Sequence, residues 1–390
     1  MKVGSKIAFI TWDSPETNYL ETLFLPIFSE LHQQHQYQFY IIQFSWIDEK
    51  TYVNRKTLIE KSGFTYLYFP VSLKPVAAVG KFLTLFKFKN QIQKFLKDQQ
   101  IDWVMPRSIM PAMLINLLKL DQTKIIFDAD GLPIEERLES KVIKKGSFLH
   151  KLYQLNEQKI INKAKVVITR SVFANTYLSS KYNKSITTFY KVINGKNTND
   201  FYYSEIERKK IRNTLQVSDS DLVFVYCGSL GAKYELDTMY NLFKNYAEKN
   251  QAAKFLILTN SPNQVAISDA NVIKCSVPNS QVYQYLSAAD VALGIITESK
   301  SMKAAAAIKH AEYLMCGLPT ILTEVGDILQ IENIQPFLLH YNQSISTKKI
   351  EDFIEQSRSL NRNNISKIAM QHFSIEKAAQ SYHNALCQNK

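Results

Sequence analysis

The chain has 390 residues, of which 46% are hydrophobic and 21% are charged, and its formal net charge is +12. This length suffices for two domains with their own cores, and the composition excludes a disordered chain. No apolar run reaches the ~18 residues of a membrane span. The N-terminal residues enter a strand too soon for a secretory signal, and the four cysteines contain no Cys-x-x-Cys pair. We therefore expect a cytoplasmic protein with free thiols.

Short apolar segments alternate with segments of helical periodicity along the whole chain. After a strand at 6–12 and a helix at 19–34, further strands are predicted at 38–44, 65–70, 103–106, 124–128 and 166–169. A polar stretch from Phe201 to Asp221 then precedes strands at 222–227, 254–259, 272–277, 291–296, 320–323 and 337–342. Strands that alternate with helices form parallel sheets, so the sequence predicts two α/β domains.

The excess of positive charge lies almost entirely in the first half of the chain. Residues 1–200 contain 28 Lys and Arg against 17 Asp and Glu, a net charge of +11. The segment Lys74–Lys97 contains no acidic residue, and its lysines alternate with aliphatic and aromatic side chains. Such a helix is typical of proteins that bind an anionic membrane surface, although an ordinary surface helix has a similar pattern. Nucleic acid is not an expected partner, because no zinc-finger, RNP-like or helix-turn-helix motif is present.

The segment between the strands at 291–296 and 320–323 has the most specific pattern. It predicts a helix from Met302 to Cys316 that ends at Gly317, with Pro319 just beyond. Lys309 and Glu312 are three residues apart and share one face of this helix. Parallel α/β sheets bind ligands at the C-terminal ends of their strands. A cation and a carboxylate there suit the phosphate and the vicinal diol of a nucleoside diphosphate.

The segment Ile308–Ile321 resembles the donor-site signature of retaining glycosyltransferases of family 4, which have the GT-B architecture of two Rossmann-like domains facing each other across a cleft. Val192–Phe201, Val223–Gly231, Val282–Leu293 and Val325–Asp327 resemble further segments of this family, in the family's order. The resemblance implies an N-terminal acceptor domain at 1–205 and a donor domain at 206–370. It also implies a last helix, at 371–390, that returns to the first domain.

The resemblance also assigns roles in the donor site. Glu312 should accept hydrogen bonds from the ribose hydroxyls, because a carboxylate offers two acceptor oxygens in one plane. Charge on the diphosphate should be met by Lys309, Lys233 and the loop N–H groups near Gly228 and Gly231. Two further positions, Ser229 and Val277, are expected to contact the nucleotide. The donor should be a nucleoside-diphosphate sugar, with UDP expected before GDP, and neither a cofactor nor a metal is expected.

The sequence departs from the family at two positions of this site. Ala304 occupies the place of a glutamate that holds sugar hydroxyls in family members. Glu298 and Ser301 lie nearby in the sequence and are the candidates to replace it. Ser229 stands where many members have an arginine. Because of Ala304, a relative without transfer activity stays open as the alternative, either a sugar-nucleotide epimerase or an inactive partner subunit.

The first domain offers candidates for acceptor binding after two of its strands. Asp128 or Asp130 is expected to orient the acceptor hydroxyl or the sugar, although an Asp-Gly turn before an acidic helix explains the same pattern. Arg107 is a weaker candidate for an acceptor phosphate. With the basic charge of this domain, these residues predict a lipid-linked or oligosaccharide acceptor. The expected setting is bacterial surface polysaccharide synthesis, such as lipopolysaccharide or capsule, by a peripheral protein on the inner face of the plasma membrane.

Overall fold

The computed structural model describes residues 1–120, 122–231, 233–306 and 308–387. The chain forms two compact units, one of Met1–Gly195 with the C-terminal segment from Ile375, and one of Lys196–Ser374. The sequence predicts boundaries at 205/206 and 370/371. In the structure the chain passes from one unit to the other at 195/196 and 374/375.

The first unit is built on one parallel sheet. Its strands are β1 (Lys6–Trp12), β2 (Gln38–Ser45), β3 (Thr65–Pro70), β4 (Trp103–Pro106), β5 (Lys124–Asp130), β6 (Val166–Thr169) and β7 (Phe189–Lys191). Its helices before the crossing are α1 (Leu25–His35), α2 (Glu49–Lys61), α3 (Ala77–Asp98), α4 (Ile109–Leu117), α5 (Pro133–Glu139), α6 (Phe148–Lys163) and α7 (Val172–Tyr182). The strand order is β3-β2-β1-β4-β5-β6-β7, with β1 near the centre. The predicted strands of this half are confirmed.

The second unit repeats this plan. Its strands are β8 (Leu222–Cys227), β9 (Ala253–Leu258), β10 (Val272–Cys275), β11 (Val291–Gly294), β12 (Thr320–Leu322) and β13 (Leu338–His340). Its helices are α8 (Glu205–Thr214), α9 (Leu236–Ala247), α10 (Val282–Ala288), α11 (Lys300–Ala304), α12 (Ile308–Met315), α13 (Thr347–Arg358) and α14 (Arg362–Phe373). The strands are ordered β10-β9-β8-β11-β12-β13, and all neighbouring pairs are parallel. Successive strands are added on one side of β8 up to β10 and on its other side from β11 onward, so the order of addition reverses between β8 and β11. In such sheets, ligands bind beyond the C-terminal strand ends at this point of reversal.

The helix predicted from Met302 to Cys316 is wrong as a single element. It divides into α11 and α12, because Ala305 adopts an extended conformation and ends the first piece. The loop at Gly326 lies against this break, and a Cβ at Gly326 would be 2.2 Å from the carbonyl oxygen of Ala305. The close contact of the two loops therefore explains why the helical pattern is interrupted here.

The last helix, α15 (Ile375–Cys387), belongs to the first unit. Its buried face includes Ala378, Ala379 and Tyr382, and it packs beside α1 in the main hydrophobic core of that unit. The alanines allow the two helix backbones to approach closely, so this segment is an integral part of the first unit.

No helix in the described ranges combines the length and the apolar character that crossing a membrane requires.

Candidate functional site

The ammonium group of Lys309 lies against two tyrosine rings in the second unit. Its Nζ is 3.7 Å from the ring centroid of Tyr234 and 4.7 Å from that of Tyr226, and it donates a hydrogen bond to Tyr226 Oη at 3.3 Å. Cations are attracted to the faces of aromatic rings, so the two tyrosines hold the side chain in place. Burial lowers the pKa of Lys309 to about 8. The group is therefore mostly charged at neutral pH, but it loses its proton in mildly basic solution.

The loop after β8 leaves room for this ammonium group because Gly228 has no side chain. A Cβ at Gly228 would lie 2.8 Å from Lys309 Nζ. Ser229 supplies a carbonyl oxygen that accepts a hydrogen bond from Tyr226 Oη at 2.6 Å. Gly231 is exposed, and a Cβ there would find its nearest neighbour, Tyr234 Cδ2, 3.9 Å away. Of the two predicted glycines, Gly228 is thus the one whose lack of a side chain shapes the site.

Two predicted nucleotide contacts lie nearby. Lys233 is exposed, with Nζ 5.5 Å from the Tyr234 ring centroid, so one tyrosine lies close to two lysines. Val277 follows β10 and is partly buried against the core beneath the sheet. Since β8, β9 and β10 are parallel, Val277 lies at the sheet edge from which Gly228 also emerges.

The carboxylate of Glu312 is paired with a residue that the sequence analysis missed. Lys196 Nζ lies 2.7 Å from Glu312 Oε1, and the two side chains are only 12% and 15% exposed. Lys309 and Glu312 share α12, as predicted, but their charged groups contact different partners. The only sequence signal for Lys196 was its place in the segment Val192–Phe201, which the family resemblance had already singled out.

Helix α12 is fixed to the end of β8 by Tyr313. Its hydroxyl accepts a hydrogen bond from the N–H of Cys227 at 2.8 Å and donates one to the carbonyl oxygen of Cys227 at 3.1 Å. Burial, followed by the charge of Glu312, raises the pKa of Cys227 to about 12. The thiol therefore stays protonated and acts here as a packing group rather than as a nucleophile.

A buried histidine joins α12 to the neighbouring strand. His310 Nε2 is 3.2 Å from the carbonyl oxygen of Gly294, and a Cβ on that glycine would lie 2.4 Å from the same nitrogen. Burial lowers the pKa of His310 to about 4, so the imidazole is neutral at physiological pH. Together with Tyr313, it sets the position of the helix that carries Lys309 and Glu312.

The position of the missing family glutamate is closed to solvent. Ala304 is completely buried at the end of α11. Ser301 is also buried, with its hydroxyl 3.1 Å from Ser299 Oγ, whereas the side chain of Glu298 is 52% exposed and 3.9 Å from His340 Nε2. Glu298 is thus the more accessible of the two suggested replacements, and no contact links it to Glu312.

The acidic residues after β5 in the first unit are held by two buried arginines. Arg170 pairs with Asp128 at 2.9 Å and approaches Asp130 at 3.7 Å, while Arg107 pairs with Asp130 at 2.5 Å. Asp128 is fully buried, whereas the side chain of Asp130 is 35% exposed and its backbone has a φ of +64°. Of the two predicted aspartates, only Asp130 is accessible to a solute. Arg107, predicted to meet an acceptor phosphate, already pairs with Asp130 and approaches Asp13 at 3.9 Å.

Helix α3 exposes an apolar stripe that continues into a basic one. The apolar stripe is formed by the exposed residue that precedes the helix, Val76, and by three exposed residues at helical spacing within it, Val79, Leu83 and Phe86. The exposed lysines at helical spacing from Leu83 extend the same face and form the basic stripe, namely Lys87, Lys94 and Lys97. Lys81 and Lys89 are only partly exposed and lie off this face. Lys81 Nζ lies over the ring of Trp46 at 5.4 Å and Lys89 Nζ over that of Phe86 at 5.7 Å, while Lys87 Nζ of the basic stripe lies over that of Phe88 at 5.0 Å.

No protein-family model and no curated protein matches the sequence. Solved structures match it over nearly its whole length. Anabaena HepE in complex with UDP is 16% identical with a TM-score of 0.69, covering 98% of this chain and 99% of that chain. WaaG, a glycosyltransferase involved in lipopolysaccharide biosynthesis, is 15% identical with a TM-score of 0.69, covering 98% and 100%. Sucrose-phosphate synthase from Thermosynechococcus elongatus is 14% identical with a TM-score of 0.70, covering 98% of both chains.

The chain has the GT-B fold. The predicted pair of Rossmann-like α/β domains is thereby confirmed, since both parallel sheets match those of GT-B glycosyltransferase structures. Identities this low show the fold alone, so activity has to be argued from the site. In the second unit the site combines Glu312 with three lysines, Lys196, Lys233 and Lys309, an arrangement suited to a polyanion that carries hydroxyl groups.

Proposed function

We propose that this protein is a glycosyltransferase that takes its sugar from a nucleoside-diphosphate donor, UDP-sugar being the expected one. The observation that carries the proposal is the arrangement of Lys309 and Glu312 on α12, beside the loop at Gly228. Glu312 accepts hydrogen bonds from the ribose hydroxyls, and Lys309 and Lys233 neutralise the diphosphate. The neighbours of this fold support the proposal, because HepE was crystallised with UDP and with UDP-glucose.

By its resemblance to family 4, the enzyme is proposed to retain the anomeric configuration. The protein's contribution is then mainly electrostatic, since the lysines face the charge that develops on the leaving diphosphate. Asp130 is proposed to orient the acceptor hydroxyl, because it is the accessible carboxylate of its network. Nothing in this scheme requires a metal ion.

Titration calorimetry with UDP, GDP and their hexose derivatives tests donor binding. We expect binding of UDP and loss of that binding in Glu312→Ala, with Glu60→Ala as the control, since Glu60 is an exposed glutamate on α2 of the first unit. If neither nucleotide binds, or if Glu312→Ala binds as well as the wild type, the proposal is refuted. Once an acceptor is found, NMR of the product linkage decides between retention and inversion.

We propose further that the acceptor is a membrane-associated glycan and that α3 binds the anionic inner face of the plasma membrane. The apolar stripe is exposed at a helix end and is followed on the same face by lysines, which suits insertion among acyl chains beside anionic headgroups. Each lysine near such a surface contributes about 1 kcal/mol. Synthesis of a bacterial surface polysaccharide is the setting that fits this acceptor.

Flotation with liposomes of phosphatidylcholine and phosphatidylserine separates the two parts of this surface. Leu83→Asp with Phe86→Asp should abolish binding. Replacing Lys87, Lys94 and Lys97 by Glu should abolish it as well, and wild-type binding should weaken as salt rises, because salt screens the lysines. Lys56→Glu on α2 is the control, as an exposed lysine outside α3. Full binding by both α3 variants would exclude this helix as the contact.

The buried Ala304 favours one alternative. A site without the sugar-binding glutamate is compatible with a GT-B relative that does not transfer, either a sugar-nucleotide epimerase or an inactive partner subunit. Incubation of the donor without acceptor, followed by NMR, distinguishes these cases: an epimerised sugar identifies the epimerase, whereas nucleotide binding without any turnover in the presence of acceptors identifies the inactive subunit.

A further inference from the structure

Lys196 forms an ion pair with Glu312, the residue that the proposed function assigns to binding the ribose. Its Nζ is 2.7 Å from Glu312 Oε1, and both side chains are largely buried. A largely buried ion pair of this kind constrains both partners, because either charge left unpaired away from water is costly. Anything that binds Glu312 therefore also acts on Lys196.

The backbone of Lys196 is anchored separately from its ammonium group. The N–H of Lys196 donates a hydrogen bond to the carbonyl oxygen of Phe373 at 2.8 Å, and Lys196 forms an isolated parallel β-bridge with Ser374. The ammonium group lies 5.2 Å from the ring centroid of Phe201, a contact that tolerates small movements of the cation. The ammonium group can thus change partner while the backbone stays in place.

The chemistry of a nucleoside diphosphate supplies that second partner. Its ribose offers two hydroxyl donors for Glu312, and its α-phosphate is attached to the same ribose through the 5′ carbon. When the ribose hydroxyls displace Lys196 from the carboxylate of Glu312, its ammonium group is therefore close to a phosphate oxygen. We propose that Lys196 is a positioning residue that neutralises Glu312 in the free protein and moves to the donor diphosphate when the ribose hydroxyls take its place. This inference rests on the proposed function.

The exchange makes the site selective for phosphorylated nucleotides. A nucleoside diphosphate replaces the Lys196–Glu312 contact with two kinds of contact, ribose hydroxyl to carboxylate and ammonium to phosphate. A nucleoside without phosphate displaces the ammonium group and offers it nothing in return. Lys196 therefore strengthens binding of UDP and opposes binding of uridine, whereas a residue that only supported Glu312 structurally would affect both ligands alike.

The test compares UDP with uridine by calorimetry and by ligand-observed NMR, in the wild type and in Lys196→Met. We expect the Kd of UDP to rise and the ratio of the uridine Kd to the UDP Kd to fall about tenfold or more, because only UDP loses a charge-assisted hydrogen bond to Lys196. The Kd of uridine should stay the same or fall. The affinity for UDP should also depend less on salt in the variant, because one screened charge has been removed.

Lys249→Met is the matched control. Lys249 also pairs with a glutamate, Glu351, at 2.6 Å, but on an exposed surface, and its loss should change neither affinity. Equal weakening of UDP and uridine in Lys196→Met, or an unchanged Kd for UDP, would overturn the inference and leave the donor site standing. If wild-type protein binds no nucleoside diphosphate, the proposed function fails, and this inference fails with it.

Discussion

Gly228→Ala should weaken the binding of UDP, while Gly231→Ala in the same loop should have little effect. A Cβ at Gly228 would lie 2.8 Å from Lys309 Nζ and 3.1 Å from Tyr226 Oη. Unstrained contacts between non-bonded atoms are about 3.5–4.0 Å, so the ammonium group has to withdraw by about 1 Å. At Gly231 the nearest atom, Tyr234 Cδ2, is already 3.9 Å away. Both variants add one methyl group to the same loop, but only the methyl group of Gly228→Ala would contact Lys309.

The size of the effect follows from what the displaced ammonium group loses. A charge-assisted hydrogen bond contributes about 1.5–3 kcal/mol, and each 1.4 kcal/mol corresponds to about a factor of ten in Kd. We therefore expect the Kd of UDP to rise about 10- to 100-fold in Gly228→Ala. The φ of Gly228, +156°, also disfavours a side chain, so thermal unfolding of each variant has to show that the fold is retained.

Calorimetric titration of UDP into the wild type and both glycine variants measures the effect. Repeating Gly228→Ala in a Lys309→Met background completes a double-mutant cycle, in which the alanine should have little further effect because the ammonium group is gone. Three results would refute the reasoning: wild-type affinity in a folded Gly228→Ala protein, an equal loss in Gly231→Ala, or a full additional loss in the Lys309→Met background.

Three further predictions concern titration and stability. The affinity for UDP should fall as the pH rises above about 8, since Lys309 loses its proton there, and calorimetry should find this fall absent in Lys309→Met. Asp128→Asn should destabilise the first unit by about 3 kcal/mol in urea unfolding, because buried Arg170 loses the carboxylate at 2.9 Å and keeps the more distant one of Asp130 at 3.7 Å, whereas Asp102→Asn at the surface should not. Burial raises the pKa of Glu157, so the folded protein binds this proton more tightly than the unfolded chain does. The free energy of unfolding should therefore fall as the pH rises through the folded-state pKa. Urea unfolding midpoints measured across pH should depend less on pH in Glu157→Gln than in the wild type.

The sequence alone determined the alternation of strands and helices and hence the two parallel sheets. Apolar runs such as Val223–Tyr226 and Phe255–Leu258 are buried on both faces of a parallel sheet, so their continuous hydrophobicity identifies them as strands without knowledge of their neighbours. The spacing of Lys309 and Glu312 placed both on one helix, because helical geometry is local. The alternation of lysines with apolar residues likewise placed both kinds of side chain on one helix, α3, whereas the structure decided which apolar residues stay exposed.

Only the tertiary structure decided which groups meet across elements. The pairing of Lys196 with Glu312 joins residues far apart in the chain, and the contact of Lys309 with the rings of Tyr226 and Tyr234 depends on how α12 lies beside β8. The break at Ala305 comes from a loop that a helical pattern cannot include. Hydrophobic periodicity records the burial of each element, since that is a property of its own residues. Ion pairs and cation–π contacts depend on distances between elements, and those distances are set only when the sheets and helices pack together.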